Sequence, residues 1–512
     1  MSVQARAQAI AAATARLRGG PLAGPLLFYT ALTLVIALTT WDGLGPRDAE
    51  RYIDASLRWI EEGPHLGETH WSLRFPLVAP MTAAFAAAGV SPLAAAAPNI
   101  TFSLLTVIVT FLFARRYFDA VTAHALTILV ATSGYIVMQA AEIRVYGPEL
   151  FFAALALWLA LAAVQAPQKA IRLWTFAGLA SGGAWLCRES TLFLPAVVGL
   201  LALVRSGGSV KPAIAVSAGF VGVVAVETAA YAVAAGDPFY RYKIDLGHGR
   251  GQAGTQPGLP AGDQPIAEFI WTPFSELFTY PTVTPFVVAA MMAGAFLLTR
   301  RRALLQNAAL ALSVFTGAAL FSFILSAYAL SLEDPDYHPL LVYAALMACA
   351  TALGALVTGG RKFIAAIALA GLTVTSFAAA DFRDYDEYSE AELLAKEALA
   401  RDEPIYSDKL TVMRAQRLAR LMGATRVEAE HLLIASAPPR GALVFQATPA
   451  GRTPLIDVAP DWREIGRFSP RPRSWTRTLI KSAAMQWETP LPASLAGIVS
   501  DPPQTVLYRT PD

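Results

Sequence analysis

Apolar segments follow one another along most of the chain, and they restrict its fold more than any other feature. A helix of about 20 apolar residues is long enough to cross a bilayer. Candidate segments number about eleven: 26–41, 98–114, 121–140, 148–165, 171–187, 190–204, 212–235, 281–299, 303–330, 338–358 and 362–380. Only 15% of the 512 residues are charged, against about 25% in a soluble domain. The sequence therefore predicts an all-α polytopic membrane protein.

Basic residues between the apolar segments predict the direction in which the chain crosses the membrane. Cytoplasmic loops are enriched in Lys and Arg. Clusters of these residues lie in alternate connections: Arg115–Arg116, Lys169 with Arg172, Arg205 with Lys211, Arg300–Arg302 and Arg361–Lys362. With about eleven spans and a cytoplasmic N-terminus over 1–25, every cluster falls on the inner side. We therefore expect a transmembrane domain over 26–380 and an outer location for 381–512.

One apolar stretch, Met81–Pro98, has two interpretations. If it crosses the membrane, all later loops change sides and Arg300–Arg302 lie outside. If it stays on the outer side, it forms a juxtamembrane or re-entrant helical pair broken at Gly89 and Pro92. Irregular backbone at membrane depth is tolerated only where it packs against protein or water. The loop charges favour the second interpretation.

The regions expected outside the membrane differ in character. The first outer loop, 42–97, is acidic near its start, and the second, 236–280, is rich in Gly and Pro. In the more polar tail, 381–512, the segment EAELLAKEALA has the pattern of a helix, whereas EPIYSD, GALVFQ and TVLYRT have the pattern of short strands. The tail is therefore predicted to be a small α/β domain.

Ionisable residues beside the apolar segments concentrate at one end of the predicted spans. Such residues are costly in a membrane and usually functional. They are Asp48, Glu50, Glu142, Arg144, Glu149, Arg188, Glu189, Glu227, Arg241, Lys243 and Asp334. A transporter usually carries polar groups or broken helices near the midplane, but the middles of these segments are nearly free of charge. The pattern favours a helical scaffold with a polar cavity at the outer boundary of the membrane.

A cavity in that position can receive a lipid from the side and a polar molecule from water. Nucleotide-activated sugars are not supplied outside the cytoplasm, so the activated group available there is one carried on a lipid phosphate. Displacing the phosphate from a sugar carbon needs a carboxylate base and cations that stabilise the departing phosphate. We take Asp48 as the candidate base. As an alternative, Asp48 is the N-cap of the amphipathic helix that follows it, and the two roles are compatible.

Two motifs in the first outer loop carry a resemblance to a known family. RDAERY, followed about 25 residues later by RFPLVAP, resembles the polyprenyl-phosphate-sugar-dependent glycosyltransferases of the GT-C fold. That superfamily includes the protein O-mannosyltransferase-like and aminoarabinose transferase-like enzymes. Asp48, Arg51 and Tyr52 match its Asp-x-x-Arg-Tyr pattern, and Arg74 stands at its phosphate-binding Lys. The resemblance implies that Asp48 is the general base and that Arg74 binds the lipid phosphate.

Further segments extend this resemblance. EIRVYGPELFF contains Glu142, Arg144, Tyr146 and Glu149, and it is similar to the family's polar turn before a span. GGAWLCRESTLFLP contributes Arg188, and DYHPLLVYAAL contributes Tyr337. We expect these side chains to line the substrate site. Arg188 and the adjacent Glu189 either neutralise each other or face that cavity.

The second outer loop offers a basic partner for the lipid phosphate. Arg241, Lys243, His248 and Arg250 are the candidates, and the first two are favoured because they lie nearest to the preceding span. A solvated basic loop is the alternative for each. The neighbouring glycines at 247, 249, 251 and 254 suggest a flap that orders over bound lipid.

These observations leave three hypotheses. The first is a membrane glycosyltransferase that moves a sugar from an undecaprenyl-phosphate-type donor to a hydroxyl, with inversion, at the periplasmic face of a bacterial inner membrane. The second is a lipid-linked glycan polymerase or ligase, and the third is a transporter of lipid or glycan. The acceptor is a glycan, a lipid or a protein. No cofactor is implied, although outer carboxylates could bind a divalent metal, and nothing in the charge pattern points to nucleic acid.

Overall fold

The architecture was analysed in a computed structural model of the chain. The residues that the structure describes are 22–40, 48–63, 66–166, 170–244, 265–280, 282–299, 306–329, 335–381, 386–401, 403–435, 437–447, 456–468, 482 and 505–512. His248, Arg250, Asp334 and the glycines at 247, 249, 251 and 254 lie outside these ranges.

Helices dominate the first three quarters of the chain. In order they are α1 (Ala23–Thr39), α2 (Asp48–Glu62), α3 (Phe75–Ala88), α4 (Pro92–Tyr117), α5 (Ala120–Thr132), α6 (Gly134–Ala141), α7 (Tyr146–Gln165), α8 (Ala170–Cys187), α9 (Phe193–Arg205), α10 (Lys211–Ala235), α11 (Ile266–Thr279), α12 (Thr284–Thr299), α13 (Gln306–Ile324), α14 (Pro339–Thr358) and α15 (Lys362–Asp381). Short 3-10 helices cover His70–Leu73, Glu189–Leu192 and Pro335–Tyr337, and a π-helical turn covers Leu325–Ala329.

Within the described residues, six helices are long and apolar enough to cross a membrane, or seven if the bent pair α11 and α12 is one span. The two helices of that pair meet at 101°. The predicted count of about eleven spans is not confirmed, because several apolar segments form shorter helices, such as α1 and α5. The predicted class, a mostly helical chain with multiple membrane-spanning helices, is confirmed.

The ambiguous stretch 81–98 is broken at Gly89 and Pro92, as predicted. Helix α3 ends at Ala88, and Gly89 adopts φ +81°, a conformation that L side chains rarely adopt. Ser91 then caps α4, its Oγ accepting a hydrogen bond from the Ala94 amide at 3.3 Å. Helix α4 starts at Pro92, six residues before the predicted span, and continues through Pro98 as a single helix. Residues 92–97, assigned to the first outer loop, are therefore part of a candidate spanning helix.

Glycines allow α8 and α10 to pack in close contact. A Cβ at Gly178 would lie 2.1 Å from the Val216 carbonyl oxygen, and one at Gly219 would lie 2.3 Å from that of Thr175. The two backbones therefore approach too closely for any larger residue. Small residues serve this purpose in membrane helix pairs, and the contact places the end of α8 beside α10.

The C-terminal part combines helices with a small sheet. Helices α16 (Asp386–Leu399), α17 (Lys409–Leu421) and α18 (Arg426–Glu430) accompany β1 (Ile405–Ser407), β2 (Leu432–Ile434), β3 (Leu443–Gln446), β4 (Arg463–Phe468) and β5 (Thr505–Arg509). The strand order is β2-β1-β3-β5-β4, in which β1 pairs in parallel with β2 and β3, and β5 pairs antiparallel with β3 and β4. The three predicted strands and the predicted helix are confirmed, whereas β2 and β4 were not foreseen.

This C-terminal unit contacts the helix that begins with Asp48. On α2, Glu50 is buried and accepts a hydrogen bond from Arg414 Nε at 3.0 Å, and its second oxygen pairs with Arg417. Three turns further along α2, Glu61 pairs with Arg420. Apolar side chains of both helices, including Ile53 and Val412, belong to one buried cluster. The C-terminal unit therefore holds the helix of the candidate base.

We expect Glu50→Ala to loosen this contact, because it leaves the buried Arg414 without its carboxylate. Removing one partner of a buried ion pair costs about 3–5 kcal/mol. The thermal unfolding temperature of the purified chain should therefore fall. Glu61→Ala is the matched control. Its side chain is 42% exposed, so we expect its effect to stay below about 1 kcal/mol. Equal losses for the two variants would contradict this interpretation.

Candidate active site

Asp48 lies at the first position of α2, half-buried and surrounded by cations. Helix α2 begins at Asp48, and a helix N-terminus favours a carboxylate in its first turn. Burial raises the pKa of Asp48, while a hydrogen bond from Trp71 and the charges of Arg144, Arg51 and Arg74 act in the opposite direction. A carboxylate with a raised pKa accepts protons more readily, which suits a general base.

The two neighbours of Asp48 in the motif have different environments. Arg51 is exposed, and its guanidinium lies 3.8 Å from the centre of the Trp71 ring. Tyr52 is 2% exposed and packs in the cluster beneath α2. Burial and the nearby Asp48 raise the pKa of Tyr52, so the phenol keeps its proton. Arg51 is therefore accessible at the surface of the site, whereas Tyr52 belongs to the buried core beneath α2.

Arg74 and Arg241, both predicted to hold a lipid phosphate, converge on one carboxylate. Oε1 of Glu189 accepts a hydrogen bond from Arg74 Nη1 at 2.5 Å and from Arg241 Nε at 2.9 Å. The Nη2 atom of Arg241 also donates to this oxygen. Arg74 precedes α3, and Glu189 begins the 3-10 helix after α8. The two arginines predicted to bind the lipid phosphate are thus part of an ion-pair network.

Glu227 completes this network from within α10. It accepts hydrogen bonds from Arg241 Nη1 at 2.5 Å, from the Trp185 indole at 3.0 Å and from the Tyr231 hydroxyl at 2.9 Å. Glu227 is therefore held by three polar neighbours. Arg241 donates further to the Trp185 carbonyl at 3.0 Å and is only 1% exposed.

A second buried pair lies beside the first. Nη1 of Arg188 is 3.3 Å from Glu149 Oε2 and donates to the Tyr337 carbonyl at 3.3 Å. Its guanidinium lies 5.2 Å from the Tyr146 ring and 4.8 Å from the Tyr337 ring. Arg188 and the adjacent Glu189 therefore each form an ion pair with a residue of another segment.

The turn between α6 and α7 brings Glu142 and Arg144 together. Their side chains form an ion pair, and the buried Asn99 amide donates to the Glu142 carbonyl at 3.0 Å and to the Arg144 carbonyl at 2.6 Å. Asn99 thereby ties this turn to α4 and holds Arg144 near Asp48. A fully buried Asn in an apolar helix is a signal that sequence reasoning missed.

Lys243 differs from the other predicted residues. Its side chain is 71% exposed and pairs with Asp237 at 2.5 Å. This neighbour lowers the pKa of Asp237. Lys243 therefore lies at the surface of the protein, whereas Arg241, two residues earlier, is buried in the network.

A polar cavity of about 250 Å³ lies between α2 and the C-terminal unit. Its walls are Arg51, Asp54, Ala55, Arg58, Trp59, Gly67, Glu68, Thr69, Ser72, Met413 and Arg417. Arg51 links this cavity to the base, because it stacks on the same Trp71 that donates to Asp48. Sequence reasoning did not identify Trp71, since a single aromatic residue in a loop has no periodic pattern.

Among the residues that the structure describes, no group of three or more His, Cys, Asp or Glu is arranged to hold a metal ion. Cys187 and Cys349 are both buried free thiols.

Comparisons with known proteins agree with this architecture. Residues 74–231 match the family model of dolichyl-phosphate-mannose-protein mannosyltransferases. Among solved structures, ArnT from Cupriavidus metallidurans bound to undecaprenyl phosphate is similar with a TM-score of 0.56 and 13% identity, over 96% of this chain and 98% of that one. ArnT in the apo state gives a TM-score of 0.52 and 13% identity, over 83% and 93%.

Two weaker findings complete the comparison. AglB, an oligosaccharyltransferase from Archaeoglobus fulgidus, gives a TM-score of 0.46 and 12% identity, over 77% of this chain and 63% of that one. No curated protein sequence matches the chain. The matches to ArnT confirm the GT-C fold that the sequence motifs implied, so the chain is a multi-pass membrane protein with this fold.

We expect Glu149→Ala to destabilise the chain, because it leaves the buried Arg188 without its carboxylate partner. The expected loss is about 3–5 kcal/mol, measured by thermal unfolding in detergent. The control, Glu268→Ala, removes an exposed carboxylate in the first turn of α11 and should change stability by less than about 0.5 kcal/mol. An unchanged unfolding temperature for Glu149→Ala would contradict the pairing.

Proposed function

We propose that this protein is a membrane glycosyltransferase that moves a sugar from an undecaprenyl-phosphate-type lipid to a hydroxyl group of an acceptor at the periplasmic face of a bacterial inner membrane. The observation that carries the proposal is the position of Asp48, a carboxylate with a raised pKa, close enough to Arg74 for that charge to lower its pKa, while Arg74 itself belongs to a buried network with Arg241. The described relatives support the donor class. One is a structure with undecaprenyl phosphate, and the family model is named for a lipid-phosphate mannose donor.

The proposed reaction is a single displacement. Asp48 takes the proton of the acceptor hydroxyl, and the hydroxyl oxygen forms a bond to the sugar C1. The bond between C1 and the lipid phosphate oxygen breaks, and its electron pair leaves with the phosphate. Because attack and departure occur on opposite faces of the ring, the configuration at C1 inverts. The phosphate is a weak base, so the second carboxylate of a glycoside hydrolase is not needed.

The arginines would stabilise the charge that develops on the departing phosphate. Arg74 and Arg241 are buried, so their donors act where water screens them little. Guanidinium groups bind phosphate oxygens through two parallel hydrogen bonds. Arg144 and Arg51 lie near Asp48 and would keep the carboxylate ionised between turnovers. Arg188, held between Tyr146 and Tyr337, would form the wall of the same site.

The acceptor would approach from the water side. The cavity between α2 and the C-terminal unit is polar and includes one large aromatic face, Trp59. Hydroxyl-rich molecules fit such a lining, because carboxylates accept and guanidiniums donate hydrogen bonds to hydroxyls. In this arrangement the N-terminus is cytoplasmic and the C-terminal unit is periplasmic, as the basic loops predict.

Asp48→Asn tests this function directly. We expect the rate of sugar transfer to fall by about 10²- to 10⁴-fold, because the amide cannot take up the proton of the acceptor hydroxyl. The assay incubates native membranes with undecaprenyl phosphates carrying different sugars, and mass spectrometry follows released undecaprenyl phosphate and the mass gain of the acceptor.

Glu61→Gln, on the same helix, is the matched control, since its carboxylate pairs with Arg420, does not line the cavity and takes no part in the proposed reaction. Full activity of Asp48→Asn would remove the assigned base. Donors with a diphosphate used in preference would favour the polymerase or ligase, and movement of lipid without a new covalent bond would favour the transporter.

Trp71→Phe should shift the pH dependence of transfer. Trp71 donates to the Asp48 carboxylate and thereby lowers its pKa, so removing the donor raises that pKa further. Asp48 must be ionised to act as the base, and activity therefore falls as the pH drops through its pKa. We expect the acidic limb of the rate profile to move to higher pH. Phe retains a ring for Arg51 to stack on, and a profile unchanged or moved to lower pH would contradict the assignment.

A further inference from the structure

The contact between Glu189 and two arginines bears on how a lipid phosphate would bind. One oxygen of Glu189 receives donors from both Arg74 and Arg241. A single oxygen between two guanidinium groups is the arrangement that a phosphate oxygen would adopt with the same pair. The carboxylate therefore uses the donors that the proposed function needs for the phosphate.

A charge count shows that Glu189 and a lipid phosphate cannot both be accommodated beside Arg74 and Arg241. Arg74 and Arg241 carry two positive charges, and Glu189 and Glu227 carry two negative charges, so the network is neutral. A lipid phosphodiester adds one negative charge, and a phosphate monoester carries about −1.5 to −2 at neutral pH. If both carboxylates kept their places, two buried cations would face three anions, and like charges in a poorly screened site repel strongly.

Burial identifies the carboxylate that can move. The side chain of Glu189 is 32% exposed, whereas that of Glu227 is 5% exposed. Glu227 is also fixed by Trp185 and Tyr231. Glu189 begins a short 3-10 helix at the connection after α8, so its side chain has access to water without a change in a long helix.

We propose that Glu189 competes with the lipid phosphate for Arg74 and Arg241: it gives up these donors when the phosphate binds and takes them back when the phosphate leaves. This exchange keeps each buried guanidinium paired throughout, which avoids the cost of an isolated buried charge. It also weakens the binding of the released lipid phosphate and so favours its departure. Glu189 acts here through the arginines, as a positioning residue.

This inference rests on the proposed function, and it is tested by equilibrium binding of undecaprenyl phosphate to the purified full-length chain. We expect Glu189→Gln to bind the lipid at least about tenfold more tightly than the natural chain and to release it more slowly, because the amide competes poorly for guanidinium donors. Glu227→Gln is the matched control on the same Arg241. It removes one negative charge but leaves Glu189 on the shared donors, so we expect a smaller gain in affinity than Glu189→Gln gives, and an equal gain would contradict a specific competition by Glu189.

The outcomes separate the inference from the proposed function. If the natural chain binds the lipid and Glu189→Gln binds it equally or less tightly, Glu189 only holds the arginines in place and the inference fails alone. If neither protein binds the lipid, the proposed donor fails, and the inference fails with it. Glu189→Asp keeps the charge on a shorter side chain and guards against misfolding of the amide variant. We expect the lipid affinity of Glu189→Asp to lie between that of the natural chain and that of Glu189→Gln. An affinity equal to or lower than that of the natural chain would also overturn the inference.

Discussion

Buried charges that neutralise one another determine the geometry at one end of the helices. Arg74, Glu189, Glu227 and Arg241 come from four separate segments of the chain, and none of them is adjacent to its partner in sequence. A buried charge without a partner costs several kcal/mol. These segments must therefore meet for the network to exist at all. The close packing of α8 against α10, which glycines permit, brings Glu189 and Glu227 within reach of Arg241.

The same requirement explains how Asp48 is placed. Its helix lies along the surface of the helical bundle, where apolar residues such as Ile53 pack beneath it and Glu50 engages two arginines of the C-terminal unit. Tyr52 is buried in the core beneath α2, and Trp71 donates a hydrogen bond to the Asp48 carboxylate. Asp48 is consequently partly withdrawn from water yet still accessible, and this balance raises its pKa while leaving it able to exchange protons.

Sequence reasoning recovered the features that depend on local pattern. Long apolar runs predicted the helices α7 and α14, and alternating or β-branched runs predicted strands such as β1 and β5. The count of spans was not recovered, because apolar length alone does not show whether a segment is interrupted. Ser133, for example, separates α5 from α6 within a single apolar run. The start of α4 at Pro92 was missed for a related reason, since Pro fits the first turn of a helix as well as a break.

The candidate site divides in the same way. Asp48 and Arg74 became candidates because they are charged residues in the predicted first outer loop, where few other features compete. Their partners could not be identified, because ion pairs between distant segments leave no periodic signal. Arg188 and Glu189 illustrate the difficulty. They are adjacent in sequence, yet the turn after α8 directs one toward Glu149 and the other toward Arg74. Proximity in sequence therefore did not reveal these ion pairs.

The charges of the site also constrain the order of events in the proposed reaction. When Asp48 takes the acceptor proton it loses its negative charge, and the departing phosphate gains one, so the total charge of the site is conserved. Negative charge has nevertheless moved from α2 to the neighbourhood of Arg74 and Arg241. With Glu227 fixed there, the two arginines then face more negative charge than they can neutralise. The return of Glu189 and the release of the lipid phosphate relieve this excess together, which couples product departure to restoration of the network.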